Sequence, residues 1–279
     1  MTVFTSASEM QAWALAQRAQ GKRVGLVPTM GYLHDGHLSL IAEARKRVDL
    51  VVVSIFVNPV QFGANEDFSK YPRNETRDLE LCEQAGADAV FLPQVAEMYA
   101  SDASVFITEE RLGNGLCGAK RPGHFRGVCT VVAKLFNLAL PHVAVFGQKD
   151  YQQAAVIRRM VRDLNFPIEI VVAPIVREPD GLAMSSRNVY LSPDERKRAL
   201  GLSRALQTAD MPKAQEPCAM DEVRQRMLSV LEQHGLVPDY VELVDAETLE
   251  PVTAVRRGNV ALVAVVCGKT RLIDNRILP

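Results

Sequence analysis

Apolar runs and helical repeats alternate along the first part of the chain. Continuous apolar runs predict strands at residues 24–27, 50–57, 89–92, 143–146 and 168–172. Runs without polar alternation are typical of strands buried on both faces of a parallel sheet. Between them, apolar residues recur at helical spacing, as at Leu40, Ile41, Ala44 and Val48. The pattern predicts an α/β domain over residues 1–174, with a parallel sheet and helices on both faces.

Local signals place several helices in this domain. Ser6 and Glu9 have the spacing of a capping box, and Gly21 is suited to end the helix that follows. A further helix is predicted over residues 75–84. The segment 128–140 is apolar almost all round, so we expect it to be buried, either inside the domain or against another subunit.

The pattern changes after residue 174. Ser192-Pro193-Asp194-Glu195 has the form of a capping box with proline at the first helical position, and it predicts a helix to about residue 208. Residues 209–219 contain two prolines and read as a linker. Another helix reaches His234, and short strands are predicted at 240–244, 260–266 and 272–274. Residues 175–279 are therefore expected to form a smaller α+β domain.

Composition narrows the class of protein. Apolar residues make up 48% and charged residues 23%, as in soluble enzymes, and the net charge of −1 lacks the basic excess of a nucleic-acid binder. Five scattered cysteines fit reduced thiols better than a disulfide framework. The N-terminus lacks the features of a signal peptide, and the longest apolar run, residues 50–57, is too short to span a membrane. We expect a cytoplasmic protein with no membrane or nucleic-acid partner.

Two histidines stand where the strand at 24–27 gives way to a helix. His34 and His37 are separated by Gly36, and Gly31 precedes them. Ligands of open parallel sheets bind at the carboxyl ends of strands, and a helix N-terminus there attracts anions. The glycines allow a tight turn and a close approach of the backbone to a ligand. The pattern predicts a site that handles nucleotide phosphates. A helix cap, a surface position or part of a zinc site are alternative roles for such histidines.

Three other clusters carry candidate chemistry. Gln61 follows the strand at 50–57 and offers donors and an acceptor to a hydroxyl or carboxylate. Gly147-Gln148-Lys149-Asp150 follows the strand at 143–146, where a lysine can meet phosphate oxygens, and Gln153 lies one helical turn beyond Asp150. Met184-Ser185-Ser186-Arg187 combines two hydroxyls with a guanidinium, a set that can bind a polyphosphate. Each has an ordinary alternative as a solvated loop or a helix cap.

The segment His124-Phe125-Arg126 is a weaker basic candidate. Neither a P-loop, G-x-x-x-x-G-K-[ST], nor a G-x-S-x-G nucleophile elbow occurs in the sequence. Taken together, the clusters suit a triphosphate and a small polar substrate.

These motifs, taken in order, resemble those of the pantothenate synthetase family. The matching stretches are P-T-M-G-Y-L-H-D-G-H-L-S-L, S-I-F-V-N-P-V-Q-F, K-Y-P-R, H-F-R-G-V, G-Q-K-D-Y-Q-Q and D-G-L-A-M-S-S-R-N. The match covers residues 24–192 closely and the rest loosely. Tyr32 stands where a smaller residue is common in the family, and Ile175 where threonine is frequent; neither change removes a needed functional group.

The resemblance implies a Rossmann-like sheet with a smaller C-terminal domain that closes over the ATP site. It also implies ATP-dependent condensation of pantoate with β-alanine through pantoyl adenylate, with release of AMP and diphosphate. Mg²⁺ would accompany ATP, with no protein-bound metal or organic cofactor. The family is typically homodimeric, and the apolar segment 128–140 fits a subunit interface.

The resemblance also assigns roles to residues. His34, His37 and Lys149 would be catalytic, with the family's proton donor at His37. The implied ATP site consists of Met30, Gly31, Tyr32, Leu33, His34, Asp35, Gly36, His37, Gly147, Gln148, Lys149, Asp150, Val176, Met184, Ser185, Ser186 and Arg187. Gln61 and Gln153 would bind pantoate, and Gln61 would also help to place β-alanine.

Two other functions fit parts of the pattern. A nucleotidylyltransferase shares H-x-G-H but transfers a nucleotide to a phosphorylated acceptor. The amide pair Gln61 and Gln153 favours an uncharged hydroxyl and a carboxylate over a phosphate. A nucleotide-binding regulatory domain would not need two histidines together with Lys149 and the segment 184–187.

Overall fold

The computed structural model describes residues 1–64, 66–210 and 218–279. The chain forms two compact units, one of Met1–Gln148 with Gln152–Pro174, the other of Lys149–Tyr151 with Ile175–Pro279. Lys149–Tyr151, which the sequence analysis assigned to the first domain, thus cluster with the second unit. None of the helices in the described residues has the length and apolar character needed to cross a membrane.

The first unit is built on a six-stranded sheet in which every pairing is parallel. Its strands are β1 Thr2–Phe4, β2 Val24–Thr29, β3 Leu50–Ile55, β4 Ala89–Phe91, β5 Val143–Gly147 and β6 Glu169–Ala173. The spatial order is β1-β4-β3-β2-β5-β6. After β2, the chain adds β3 and β4 on one side of β2 and then β5 and β6 on its other side. The direction in which strands are added therefore reverses between β2 and β5. Such a switch point opens a crevice at the carboxyl ends of the strands.

Seven helices of the described chain accompany this sheet. They are α1 Ala7–Ala19, α2 Asp35–Arg45, α3 Glu75–Gln84, α4 Val95–Met98, α5 Leu116–Lys120, α6 His124–Ala139 and α7 Tyr151–Asp163. The α/β fold expected from the sequence is confirmed. Most residues of α6 are buried, and the helix packs against α1, β2 and the 3-10 helix Pro59–Gln61. Because contacts within the chain bury the apolar surface of α6, this surface gives no evidence for a dimer.

Three details of the first unit differ from expectation. The edge strand β1 was not predicted, because three residues are too few to show a pattern. The capping box at Ser6 does not form: Ser6 Oγ bonds to Ser8 Oγ at 2.9 Å, and the Ala7 N–H donates to Glu97 Oε2 at 2.9 Å. The helix after β2 begins at Asp35, five residues before Leu40, the first residue of its apolar repeat.

The second unit contains two antiparallel sheets. The strands are β7 Cys218–Ala219, β8 Val237–Val244, β9 Ala254–Val255, β10 Val260–Cys267 and β11 Thr270–Ile277. The three-stranded sheet has the order β11-β10-β8, and the two-stranded sheet pairs β7 with β9. The helices are α8 Pro193–Ala199, α9 Gly201–Gln207 and α10 Met220–Gln233. Apolar side chains of α9, α10, β8 and β10 form one buried core, so the smaller α+β part is also confirmed.

The predicted helix from Ser192 is present but divided. Ser192 and Glu195 form the expected capping box, and the helix is interrupted at Leu200 between α8 and α9. Most of the predicted linker at 209–219 lies outside the described residues. Its last two residues pair with β9 instead of continuing a loop.

Candidate active site

The two histidines lie in the turn between β2 and α2. Gly31 has a φ of +82°, which only glycine adopts without strain. His34 is the N-cap of α2, and His37 lies within the first helical turn. Gly36 is also helical, so a left-handed turn is needed at Gly31 and not at Gly36. Both rings are partly exposed at the N-terminus of a helix, where an anion is stabilised by free N–H groups and the helix dipole.

Main-chain hydrogen bonds orient both imidazoles. Nδ1 of His34 accepts from the Gly36 N–H at 3.1 Å, and Nδ1 of His37 accepts from the His34 N–H at 3.3 Å. The ring centroids are 4.1 Å apart. A ring nitrogen that accepts a hydrogen bond carries no proton, so each neutral ring holds its proton on Nε2. In their neutral form, both rings therefore offer an Nε2–H donor from the same turn.

Gln61 lies behind the end of β3 with its amide held in one orientation. Its side chain is buried, its Oε1 accepts from Asn58 Nδ2 at 3.1 Å, and its Nε2 donates to Met30 Sδ at 3.2 Å. Asn58 Oδ1 in turn accepts from the Tyr99 hydroxyl at 2.9 Å. Burial raises the pKa of Tyr99 to about 12, although the hydrogen bond with Asn58 lowers it. The phenol therefore keeps its proton and remains a donor. The contact with Met30 brings together two predicted site residues from neighbouring strand ends.

A charged network supports the main chain at Gln61. His124 Nδ1 bonds to the Gln61 carbonyl oxygen at 2.9 Å, and its Nε2 lies 3.0 Å from Arg121 Nη1. Arg121 forms two 2.6 Å bonds to the Glu66 carboxylate. Burial raises the pKa of Glu66, but the hydrogen bond and charge of Arg121 outweigh it and hold the pKa below the ordinary 4.5. The segment proposed as a basic loop, 124–126, thus opens α6, where its histidine supports Gln61.

Helix α6 approaches the Gln61 segment closely at Gly127. A Cβ on Gly127 would lie 2.6 Å from both Cα and N of Gln61. The Gly127 carbonyl accepts from Asn58 Nδ2 at 3.2 Å. Glycine is required here by space, and its absent side chain lets the 3-10 helix Pro59–Gln61 lie directly against α6.

The carboxyl end of β5 contributes a second group of predicted residues. Gly147 ends the strand, and a 3-10 helix covers Gln148–Asp150. Gln153 lies in the first turn of α7 and is partly exposed. Its neighbour Gln152 is buried and structural, since its Oε1 accepts from the Cys117 N–H at 2.9 Å.

Lys149 is anchored through its main chain in the second unit. Its carbonyl oxygen accepts from Asn275 Nδ2 of β11 at 2.9 Å. Two residues on, the Tyr151 hydroxyl donates to the Ala246 carbonyl at 3.0 Å. Asp150 between them is exposed. These bonds fix the backbone from which the Lys149 ammonium extends.

The other predicted phosphate-binding residues follow a hairpin in the same unit. The Met184 N–H donates to the Val176 carbonyl at 3.0 Å, which places these two predicted residues side by side. Ser185 caps the 3-10 helix Ser186–Tyr190, and its Oγ accepts from the Arg187 N–H at 3.3 Å.

An ion pair between a partly exposed arginine and a buried aspartate links this hairpin to the anchor of Lys149. Arg177 donates to both Asp274 oxygens at 2.7 and 3.0 Å. Asp274 precedes Asn275 on β11, and its Oδ1 accepts from the Asn275 N–H at 2.8 Å. Lys149 and the 176–187 segment are therefore braced by adjacent residues of one strand.

Sequence reasoning missed the residues that act through main-chain atoms. Asn58, Asp78 and Asn275 each bind backbone or amide groups of predicted site residues. Asn58 could have been found as an amide beside Pro59 at a strand end, whereas Asp78 and Asn275 carry no local signal. In the described chain, no group of three or more His, Cys, Asp or Glu residues is arranged to hold a metal ion.

Comparison with known proteins places the chain in a family. The model of the pantoate–β-alanine ligase family matches residues 2–277. Pantothenate synthetase of Thermotoga neapolitana is 54% identical over 279 residues, covering 100% of both chains. That of Geobacter sulfurreducens is 53% identical, covering 100% of this chain and 99% of the relative.

Solved structures agree with the sequence relatives. Pantothenate synthetase of Thermus thermophilus superposes with a TM-score of 0.94 at 45% identity, covering 100% of both chains. Pantoate–β-alanine ligase of Francisella tularensis, complexed with beta-gamma ATP and β-alanine, gives a TM-score of 0.82 at 31% identity, covering 99% of this chain and 97% of that one. The resemblance inferred from the motifs is confirmed, and the chain belongs to the pantoate–β-alanine ligase family.

Proposed function

We propose that this chain condenses (R)-pantoate with β-alanine at the expense of ATP, through a pantoyl adenylate, and releases AMP and diphosphate. The observation that carries the mechanism is the pair of imidazoles at the N-terminus of α2 whose Nδ1 atoms both accept main-chain N–H groups. A carboxylate is a poor acyl donor until one of its oxygens belongs to a good leaving group. The site must therefore make an acyl phosphate anhydride before the amine attacks.

In the first half reaction a carboxylate oxygen of pantoate attacks the α-phosphorus of ATP. The bond from the α-phosphorus to the bridging oxygen breaks, and diphosphate leaves with the electron pair. Negative charge grows on the phosphate oxygens, where His34 and His37 donate hydrogen bonds through Nε2 and His37 supplies the proton. Electrostatic stabilisation by preorganised donors is commonly the largest contribution to catalysis.

The resemblance assigns the remaining positive charge to one lysine and one arginine. Lys149 and Arg187 would neutralise the β- and γ-phosphates, with hydroxyl donors from Ser185 and Ser186. Met30, Gly31, Tyr32, Leu33, Asp35, Gly36, Gly147, Gln148, Asp150, Val176 and Met184 would line the nucleotide. Closure of the second unit over ATP remains a prediction from the resemblance.

Gln61 and Gln153 are proposed to bind pantoate. The Gln61 amide is held so that Asn58 binds its oxygen, which leaves Nε2 as its donor end for a carboxylate or hydroxyl. In the second half reaction the β-alanine nitrogen attacks the acyl carbon, the bond to the AMP oxygen breaks, and the nitrogen loses a proton as the amide forms.

Mg²⁺ would enter the site as part of the substrate, MgATP. Magnesium in phosphoryl-transfer sites is usually held by substrate phosphates and water with one or two carboxylates. A homodimer and a cytoplasmic location also follow from the resemblance. Sedimentation of the purified chain tests the dimer.

Product analysis tests the reaction. With ATP and pantoate alone, the enzyme should make enzyme-bound adenylate and at most one equivalent of diphosphate. Addition of β-alanine should start steady release of AMP. Steady accumulation of a dinucleotide without an amine would instead identify a nucleotidylyltransferase.

The variant His37→Ala tests the catalytic turn. It should lower the rate of diphosphate release at least about 100-fold, the usual loss for one such donor. His142→Ala is a matched control, since His142 Nδ1 also accepts a main-chain N–H, from Val24 at 3.0 Å at the amino end of β2. Equal rates of diphosphate release in the two folded variants would refute the role of His37.

A further inference from the structure

The backbone before His34 adopts a costly conformation. Gly31 has a φ of +82° and Tyr32 a φ of +51°. The left-handed region is disfavoured for a residue with a bulky side chain. Such a conformation persists only where neighbouring groups determine it strongly. The turn that carries the catalytic histidines therefore needs a partner outside itself.

Helix α3 provides that partner through a buried carboxylate. Asp78 is 1% exposed. Its Oδ2 accepts from the Tyr32 N–H and its Oδ1 from the Leu33 N–H, each at 2.7 Å. Short bonds from N–H groups to an ionised acceptor are stronger than bonds between neutral groups. Both oxygens of one carboxylate thus fix two consecutive peptide groups.

The preceding residue of α3 binds the same segment. Arg77 Nη1 donates to the Leu33 carbonyl oxygen at 2.8 Å. Its guanidinium also lies over the Tyr32 ring, 5.6 Å from the ring centre. The N–H and the carbonyl of Leu33 are therefore both bound by α3, immediately before the N-cap residue His34.

Close packing explains why the residue at 31 is glycine. A Cβ on Gly31 would lie 3.0 Å from Asp78 Oδ2 and 3.0 Å from Ile55 Cγ2. A side chain there would push the carboxylate away from the two N–H groups. The glycine thus serves the turn and the approach of Asp78 together.

We propose that Asp78, assisted by Arg77, is a positioning residue for the histidine pair. The carboxylate fixes Leu33, the next main-chain N–H belongs to His34, and that N–H binds Nδ1 of His37. A shift at Leu33 therefore alters the hydrogen bond that keeps the His37 proton on Nε2. The proposal rests on the proposed function, since it assigns Asp78 to the adenylation step.

The test compares Asp78→Asn with Asp88→Asn in the chain of 279 residues. Asp88 is a matched control because its Oδ2 also accepts a main-chain N–H at 2.7 Å, from Val51 at the start of β3. The chain has five histidines, so ¹⁵N-histidine labelling gives few signals, and two-bond ¹H–¹⁵N spectra report the tautomer of each ring. Kinetics give kcat for diphosphate release and KM for ATP and pantoate.

Asp78→Asn should lower kcat about tenfold or more, as misplaced catalytic groups do, and should change the His37 tautomer signals. Asp88→Asn should leave kcat and the His37 tautomer signals unchanged in the protein that folds. Arg77→Ala, at a half-exposed side chain, should produce the same changes in weaker form, and it serves as the test if Asp78→Asn does not fold.

Wild-type kcat and wild-type histidine spectra in folded Asp78→Asn would overturn the proposal. So would a loss of kcat that Asp88→Asn reproduces. If the wild-type enzyme itself releases no AMP with pantoate and β-alanine, the proposed function fails, while the histidine spectra still decide the positioning role.

Discussion

Replacement of Gly127 by alanine should displace Gln61 by a distance that the structure defines. The added Cβ would lie 2.6 Å from Gln61 Cα and N and 2.7 Å from the carbonyl carbon of Val60, whereas ordinary contact begins at 3.4 Å. The gap must therefore open by about 0.8 Å, the difference between these two distances. All three atoms are backbone, so the strain cannot be relieved by rotating a side chain.

The expected cost of Gly127→Ala appears in catalysis more than in stability. Overpacking of this kind costs about 1–3 kcal/mol, and alanine returns about 1 kcal/mol over glycine in a helix. The free energy of unfolding should thus fall by only about 0–2 kcal/mol. A misplacement near 1 Å can lower a rate about 100-fold, so we expect kcat/KM for pantoate to fall about 10- to 100-fold, with KM for ATP little changed.

Initial rates of AMP release at varied pantoate and ATP, together with urea unfolding, measure both effects. Gly115→Ala is the control, because no atom beyond its two chain neighbours lies within 4 Å of its added Cβ and its φ of −88° suits alanine. If the two variants share the same kcat/KM for pantoate, the close approach of α6 does not set the position of Gln61.

Three further variants test other contacts. Because the folded pKa of Glu66 lies below 4.5, its stabilisation is present above that pH and is lost as pH falls through the folded pKa. Glu66→Gln should thus unfold about 1–3 kcal/mol more easily at pH 7, and this deficit should shrink as the pH falls below 4.5. Urea titrations in which the deficit stays constant below pH 4.5 would contradict this. Asp274→Ala removes both hydrogen bonds from Asp274 to Arg177, whose side chain is 31% exposed, and should cost about 1.5–3 kcal/mol in urea unfolding; a cost below about 0.5 kcal/mol would mean that the pair contributes little. Asn275→Ala removes the bond to the Lys149 carbonyl and should slow diphosphate release about tenfold, a loss that unchanged single-turnover rates would exclude.

The sequence predicted those elements whose signals are local. The helix Glu75–Gln84 was predicted at both ends, because Asn74 caps it and Gly86 follows with a φ of +83°. The capping box at Ser6 does not form, because the Ser6 hydroxyl bonds to Ser8 Oγ instead of to the Glu9 N–H. The first N–H of the helix, on Ala7, binds Glu97, a residue 90 positions away that no local rule could identify.

The same distinction separates the predicted site residues from the missed ones. The histidines, glutamines and the lysine were predicted because their side chains have recognisable chemistry beside strand ends. Asp78 and Asn275 bind main-chain groups 46 and 126 residues away. In the sequence, nothing distinguishes them from other polar residues of a helix or strand. Their identification needed the pairing of elements in space.

The bond between Asn275 and Lys149 also sets an order of events during synthesis. The two residues are 126 positions apart. At a synthesis rate of about 5–20 residues per second, Lys149 is made about 6 to 25 s before its anchor. The histidine turn can fold with the first unit during that interval, whereas the lysine backbone is fixed only when β11 joins its sheet. A nascent chain thus lacks a fixed Lys149 until β11 has been made.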